Sequence, residues 1–212
     1  MKITLIYDNT VYKPGLKADW GFSALIEKDN LKILFDTGAK GTILLNNMEK
    51  LNIKPESIDE VFISHSHWDH TGGLSHFLKI NKTAKVYIPR LFYLRAKNRE
   101  VIKIKQSLQM HEGIFSTGTL KHIEQSMAIK MEKGLVVIAG CSHPGVGNIL
   151  DAVSQFGKPY ILIGGLHGFR EFDIITNLEK ICACHCTQHQ AEIKALYPEK
   201  WIEGGVGRII ET

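Results

Sequence analysis

His65-Ser66-His67-Trp68-Asp69-His70 follows directly on the apolar run Val61-Phe62-Ile63-Ser64. The pattern is H-x-H-x-D-H, and it sets four metal-binding side chain types almost side by side. Imidazole and carboxylate groups are good ligands for zinc, iron or manganese. Crowded at the end of a buried strand without a cation, they would lose water and leave one another unsatisfied. Neither helix capping nor core packing asks for such a cluster. The run therefore predicts a metal site in the loop after a buried strand.

Composition agrees with a folded, catalytic-sized chain. The 212 residues suit one domain spanning 1–212, long enough to bury a large core. Hydrophobic residues make up 44% and charged residues 23%, ordinary values for a globular protein. The net charge of +4 is compatible with a small anionic substrate. Lys and Arg are scattered rather than clustered, so a nucleic-acid partner is not expected. No apolar run reaches the ~18 residues of a membrane span, and no membrane partner is expected. The N-terminal Met1-Lys2-Ile3-Thr4-Leu5-Ile6-Tyr7 reads as a strand rather than a signal peptide, which makes a cytoplasmic location the expectation. Of the four cysteines, Cys182, Cys184 and Cys186 alternate on one short segment and Cys141 lies apart, poor geometry for a disulfide framework. Pairing with a second copy is left open.

Hydrophobic patterning gives strands at Lys2–Tyr7, Phe22–Lys28, Leu31–Phe35, Val61–Ser64 and Lys85–Ile88, with a hairpin turn at Asp29-Asn30. Helices are expected at Thr42–Leu51 and Gly73–Leu78. The later half repeats the scheme. It has strands at Met127–Met131, Leu135–Ala139, Tyr160–Ile163 and Lys180–Cys186, helices at Val146–Gln155, Phe172–Leu178 and Gln188–Leu196, and a final strand pair within Trp201–Ile210. Hairpins lead each half and strand–helix units follow, the pattern of a mixed α/β (α+β) four-layer αββα sandwich. The basic, amphipathic stretch from Leu91 to Gln109, within 91–118, reads either as a helix–loop lid or interface excursion or as a solvated surface segment.

Further candidate ligands stand at later strand ends. Leu135–Ala139 runs into Gly140-Cys141-Ser142-His143-Pro144-Gly145, where flanking glycines let the backbone approach a ligand. The helix after Gly145 offers free N–H groups to an anion. In Lys180–Thr187, period-2 alternation puts Ile181, Ala183 and His185 on one face and Cys182, Cys184 and Cys186 on the other. On that reading His185 and its neighbouring cysteines do not share an ion. His167, in Gly164-Gly165-Leu166-His167-Gly168, is read as a substrate contact or a support for a ligand, with direct ligation and a structural turn as alternatives. Asp36, in Leu34-Phe35-Asp36-Thr37-Gly38, reads as a turn residue or as the acceptor that orients a ligating imidazole.

These stretches together resemble the metallo-β-lactamase superfamily over nearly the whole length. The resemblance rests on Leu34–Gly38, on His65–His70 followed by Thr71-Gly72-Gly73-Leu74, on His143 and on His185. Gly140–Gly145, Gly164–His167, Cys184-His185-Cys186-Thr187 and Gly113–Gly118 are similar to the dihydropterin-ribofuranosylaminobenzene-phosphate synthase-like subgroup. Two departures stand out. Gln188 follows the His-Cys-Thr where the subgroup usually has Gly, and Cys141 and His143 stand at the strand end where the superfamily often has a metal-bridging Gly-Asp.

The resemblance implies two divalent metal ions, zinc first with iron or manganese as alternatives. His65, His67 and His143 would hold one ion, and Asp69, His70 and His185 the other. Asp69 would be catalytic, orienting a metal-activated hydroxide. Trp68, at the mouth of the site, would stack on a planar substrate or simply pack, and Ser142, His167 and Asp36 would touch substrate or support ligands. The implied activity is that of a metal-dependent hydrolase or related transferase on a small, phosphorylated or pterin-like compound. An iron-dependent redox protein of the same fold, an RNA-processing nuclease and a non-enzymatic metal-binding module are the alternatives.

Overall fold

Each half of the chain begins with antiparallel strands and continues with parallel ones. The computed structural model describes residues 1–95 and 98–212, and these form two compact units, Met1–Lys103 with Gly204–Thr212, and Ile104–Glu203.

In the first unit β1 (Lys2–Tyr7), β2 (Ser23–Lys28) and β3 (Leu31–Phe35) run antiparallel. The β2–β3 turn takes Asp29 to a φ of 56°, as a tight hairpin demands. Helix α1 (Gly41–Lys50) buries Leu44, Asn47 and Met48, one stripe at helical spacing. Buried Asn47 is satisfied: its Nδ2 donates to the carbonyls of Ile6 and Lys17, and its Oδ1 accepts from the Lys17 N–H. Then β4 (Glu60–Phe62) pairs parallel with β3. The short helix α2 (Trp68–Thr71) and helix α3 (Leu74–Ile80) follow, and β5 (Lys85–Pro89) pairs parallel with β4. Ile6, Leu25, Leu34, Val61, Ile63 and Val86 from the strands and Leu44, Met48, Leu74 and Phe77 from the helices share one core.

The stretch read as either a helix–loop excursion or a solvated surface segment contains strands, with much of it exposed. β6 (Val101–Ile104) extends the first sheet at its edge, and β7 (Leu108–His111) opens the second. Ile102 and Ile104 alternate with Lys103 and Lys105, which is strand rather than helix patterning. Lys97, counted among the basic residues of that stretch, lies outside the described residues.

In the second unit β7, β8 (Ile114–Ser116), β9 (Met127–Met131) and β10 (Gly134–Ala139) run antiparallel. After helix α4 (Val146–Ser154), β11 (Pro159–Gly165) and β12 (Lys180–Cys184) add in parallel. Val146, Ile149, Leu150 and Val153 of α4 pack with Leu135, Val137, Leu162, Ile181 and Ala183 of the sheet, and Ile193 of helix α5 (Gln190–Leu196) joins them. The helix expected at 172–178 is a run of 3₁₀ turns at Phe172–Asn177. The final strand pair reduces to isolated bridges at Trp201 and Val206 and to β13 (Ile209–Glu211), which returns to pair antiparallel with β1. The sheet orders are β13-β1-β2-β3-β4-β5-β6 and β12-β11-β10-β9-β8-β7.

Candidate metal centre

In both units the candidate residues sit past the C-terminal ends of the parallel strands, where open α/β sheets gather ligands. In the first unit they are organised by Asp36, just beyond β3 and wholly buried. Its Oδ1 accepts the Ser64 N–H at 2.7 Å. Its Oδ2 accepts the Ser64 hydroxyl at 2.6 Å and Nδ1–H of His70 at 2.7 Å. Because the Ser64 proton is committed to Asp36, Ser64 Oγ accepts from His65 Nδ1–H at 2.9 Å. One carboxylate thus fixes the proton of two imidazoles on Nδ1, directly for His70 and through Ser64 for His65. Nε2 of each ring is then the basic nitrogen, the one that could bind a metal.

The ring centroids of His65 and His70 are 4.1 Å apart. His65 Nε2 is 3.1 Å from His67 Nδ1. Two nitrogens bound to one tetrahedral ion at ~2.05 Å would be about 3.3 Å apart, so this pair fits a single cation. His70 Nε2 is 3.8 Å from Asp69 Oδ2. The indole N–H of Trp20 donates to that same oxygen at 2.9 Å. His65 and His70 are buried, His67 is exposed, and Trp68 is 62% exposed.

Helix α2 is what turns Asp69 and His70 inward. Its C-terminal end is pinned by Thr37, whose N–H and hydroxyl both donate to the His70 carbonyl, at 2.8 and 2.9 Å. Gly73 lets α3 follow at once, since a Cβ there would run into the Thr37 carbonyl.

The second unit contributes three stitched turns after β10, β11 and β12. A single buried carboxylate, Glu124, cradles the first. Its Oε1 accepts the N–H groups of Gly140, Cys141 and Ser142 at 2.9–3.1 Å, and its Oε2 accepts that of His143 at 2.9 Å. Ser142 Oγ donates to the Gly165 carbonyl, and Thr187 Oγ1 accepts the Leu166 N–H. Gln188 N–H donates to the His167 carbonyl. The rings of His143 and His167 are 5.0 Å apart, and His167 is exposed.

β12 ends at Cys184, and His185 takes a φ of 51°. The alternation expected to run through Cys186 therefore stops short of His185. His185 instead stands beside a thiol from a different strand end: one of its ring nitrogens lies within 4.8 Å of Cys141 Sγ. Cys186 Sγ is 3.9 Å from the Cys141 carbonyl oxygen. Hydrogen bonding with the Cys141 thiol, opposed by burial and helped by His185 and His167, brings the Cys186 pKa down to about 6.

Asp36, Ser142, His167 and His185 all have φ between 48° and 59°. The left-handed region is sparsely populated by non-glycine residues and persists where surrounding contacts hold it, often at functional sites. Sequence reasoning named all four without seeing this shared conformation. It missed Glu124, Trp20 and Thr187. Glu124 lies in Ile123-Glu124-Gln125-Ser126, with no local pattern to mark a buried carboxylate. His143, His167, Ser142, Arg170 and the start of α4 also line a cleft of about 380 Å³.

This arrangement has a known frame. The model of the metallo-beta-lactamase superfamily matches residues 20–152, and the chain belongs to that superfamily. It is 29% identical to the 7,8-dihydropterin-6-methyl-4-(beta-D-ribofuranosyl)-aminobenzene-5'-phosphate synthase of Methanocaldococcus jannaschii, over 89% of this chain and 88% of that one. Among solved structures it is similar to Tm1679, described as a metal-dependent hydrolase of the beta-lactamase superfamily (TM-score 0.81, 24% identity, 100% of this chain and 99% of that one). The short form of human tRNase Z matches with a TM-score of 0.69 at 14% identity, over 100% of this chain and 99% of that one. These two likenesses establish the metallo-β-lactamase fold, the mixed α/β class expected for the chain. No helix among the described residues is long and apolar enough to cross a membrane.

Proposed function

We propose that the chain is a metal-dependent hydrolase, or a related group-transfer enzyme, acting on a small anionic compound that is phosphorylated or pterin-like. His65, His67 and His143 hold one divalent ion, and Asp69, His70 and His185 hold a second, with zinc the expected metal. The observation that carries this reading is the Asp36 carboxylate, which accepts from His70 directly and from His65 through Ser64, beside a His65–His67 pair 3.1 Å apart. That network prepares neutral imidazoles for a cation and has no comparable use without one.

A bound divalent ion supplies a nucleophile at neutral pH by lowering the pKa of its water to about 7. The protein's own residues do the rest. Asp69, its Oδ2 held by the Trp20 indole N–H, would serve both as a ligand and as the group that orients the hydroxide. The cleft at the start of α4 is lined by His143, His167, Arg170 and Glu171; its helix N–H groups and guanidinium favour a phosphate or carboxylate, against the opposing charge of Glu171. Exposed Trp68 offers a ring to a planar substrate. The similarity to a pterin-related synthase supports the substrate class and the group-transfer variant. Its four cysteines, none of them in a disulfide, suit a reducing, cytoplasmic compartment.

The test is elemental analysis of protein purified without added metal, for the parent and His185→Ala, followed by a phosphoester, lactone and pterin screen. About two equivalents falling to about one are expected. One equivalent in both would remove His185 and reduce the proposal to a mononuclear centre.

A further inference from the structure

Cys141 differs from the other three cysteines in its surroundings. Cys182 and Cys184 are consecutive same-face positions inside the β12 ladder, where a thiol serves as a small hydrophobe. Cys186 packs its sulfur against the Cys141 carbonyl and hydrogen-bonds with the Cys141 thiol. Cys141 itself lies in the turn after β10, 3% exposed, with its N–H fixed on Glu124 at 3.0 Å. Its Sγ is within 4.8 Å of a ring nitrogen of His185. A thiolate and an imidazole bound to one tetrahedral ion at ~2.3 and ~2.05 Å would stand about 3.6 Å apart, within that range. The turn is rigid at both ends: Glu124 holds four successive N–H groups, and Gly165 N–H donates to the Gly140 carbonyl. A sulfur held this firmly beside a buried imidazole is a prepared donor pair rather than filler.

We propose that Cys141 is a thiolate ligand of the ion that His185 helps to hold. This rests on the reading of His185 as a metal ligand. Binding displaces the Cys141 thiol proton to solvent and forms one sulfur–metal bond, with no change of oxidation state. A thiolate in the set makes the site softer and favours zinc or cobalt over magnesium or manganese.

The experiment is cobalt(II) titration of the reduced, metal-free protein, followed by absorption. Visible d–d bands report binding, and a near-ultraviolet band reports sulfur-to-cobalt charge transfer. The parent should show both. Cys141→Ser and Cys141→Ala, checked for folding by circular dichroism, should keep visible bands from the histidine ligands, lose the charge-transfer band, and bind zinc about tenfold or more weakly. Cys186→Ala should keep the charge-transfer band. Visible bands without charge transfer in the parent would overturn the thiolate ligand while leaving the metal-dependent enzyme intact. A charge-transfer band that survives in both Cys141 variants and vanishes in Cys186→Ala would overturn it in favour of Cys186. A parent that binds no cobalt or zinc would overturn the underlying metal reading itself.

Discussion

Two buried carboxylates do most of the organising, and they differ in how visible they are in the sequence. Asp36 stands in Phe35-Asp36-Thr37-Gly38 at the end of an apolar strand, a position that already suggests a hydrogen-bond acceptor. Asp36→Asn keeps the shape but can turn an amide donor toward the two protons that Oδ2 accepts, those of His70 Nδ1 and of the Ser64 hydroxyl. Affinity for zinc should fall about 10- to 100-fold, measured by competition with a chromophoric chelator. An unchanged affinity would show that Asp36 is merely a turn residue. Glu124 has no such signature, because its partners are four backbone N–H groups remote in sequence. Glu124→Gln leaves at least one of them facing a donor. A loss of about 3 kcal/mol follows from charge-assisted bonds of this kind. At this size that is a fall of about 6–12 °C in Tm, checked by calorimetry.

At the scale of elements, amphipathic and apolar periods were legible and strand ends were not. β1, β3 and β9 match the expected strands residue for residue, and α1 and α4 match the expected helices to within a residue or so, because the strands are short apolar runs buried on both faces and the helices bury one stripe at a period of 3.6. The stretch from Leu91 to Gln109 misled because its many basic residues outweighed the alternation of Ile102 and Ile104. The error at β12 was subtler. Alternation was carried through to Cys186, whereas Thr187 Oγ1 bonds back to the Cys184 carbonyl and the Leu166 N–H and closes a turn in between. Gly165, at the neighbouring strand end, has no room for a side chain: a Cβ would lie 2.5 Å from the Gly140 carbonyl and 2.7 Å from Cys186 Sγ. Gly165→Ala should therefore cost about 1–3 kcal/mol by denaturant unfolding. It should weaken zinc binding in parallel, since the same turn positions His185. A stability loss with unaltered zinc affinity would separate this turn from the metal.

For the whole molecule, the chain path makes a specific demand. Ile104–Glu203 is an insertion between two segments of the other unit, so the chain passes from one to the other twice, and β13 must return to β1. The expectation of one domain over 1–212 predicts a single calorimetric transition; two resolved transitions would refute it. Ions bound only by the folded state add stability as RT ln(1 + [L]/Kd), about 2.7 kcal/mol at a hundredfold excess over Kd. Chelation should then lower Tm by about 5–10 °C, and zinc, but not magnesium, should restore it.

The sequence alone determined the class of fold and singled out the H-x-H-x-D-H run and the later histidines as candidate ligands, because hydrophobic period and ligand spacing are local properties of the chain. Only the tertiary structure decided that Glu124 holds the Cys141–His143 turn, that Trp20 donates to Asp69, and that His185 leaves its strand beside Cys141. Each of these depends on backbone hydrogen bonds between residues far apart in the chain, and such bonds are made by groups every residue carries, so they leave no mark in residue identity.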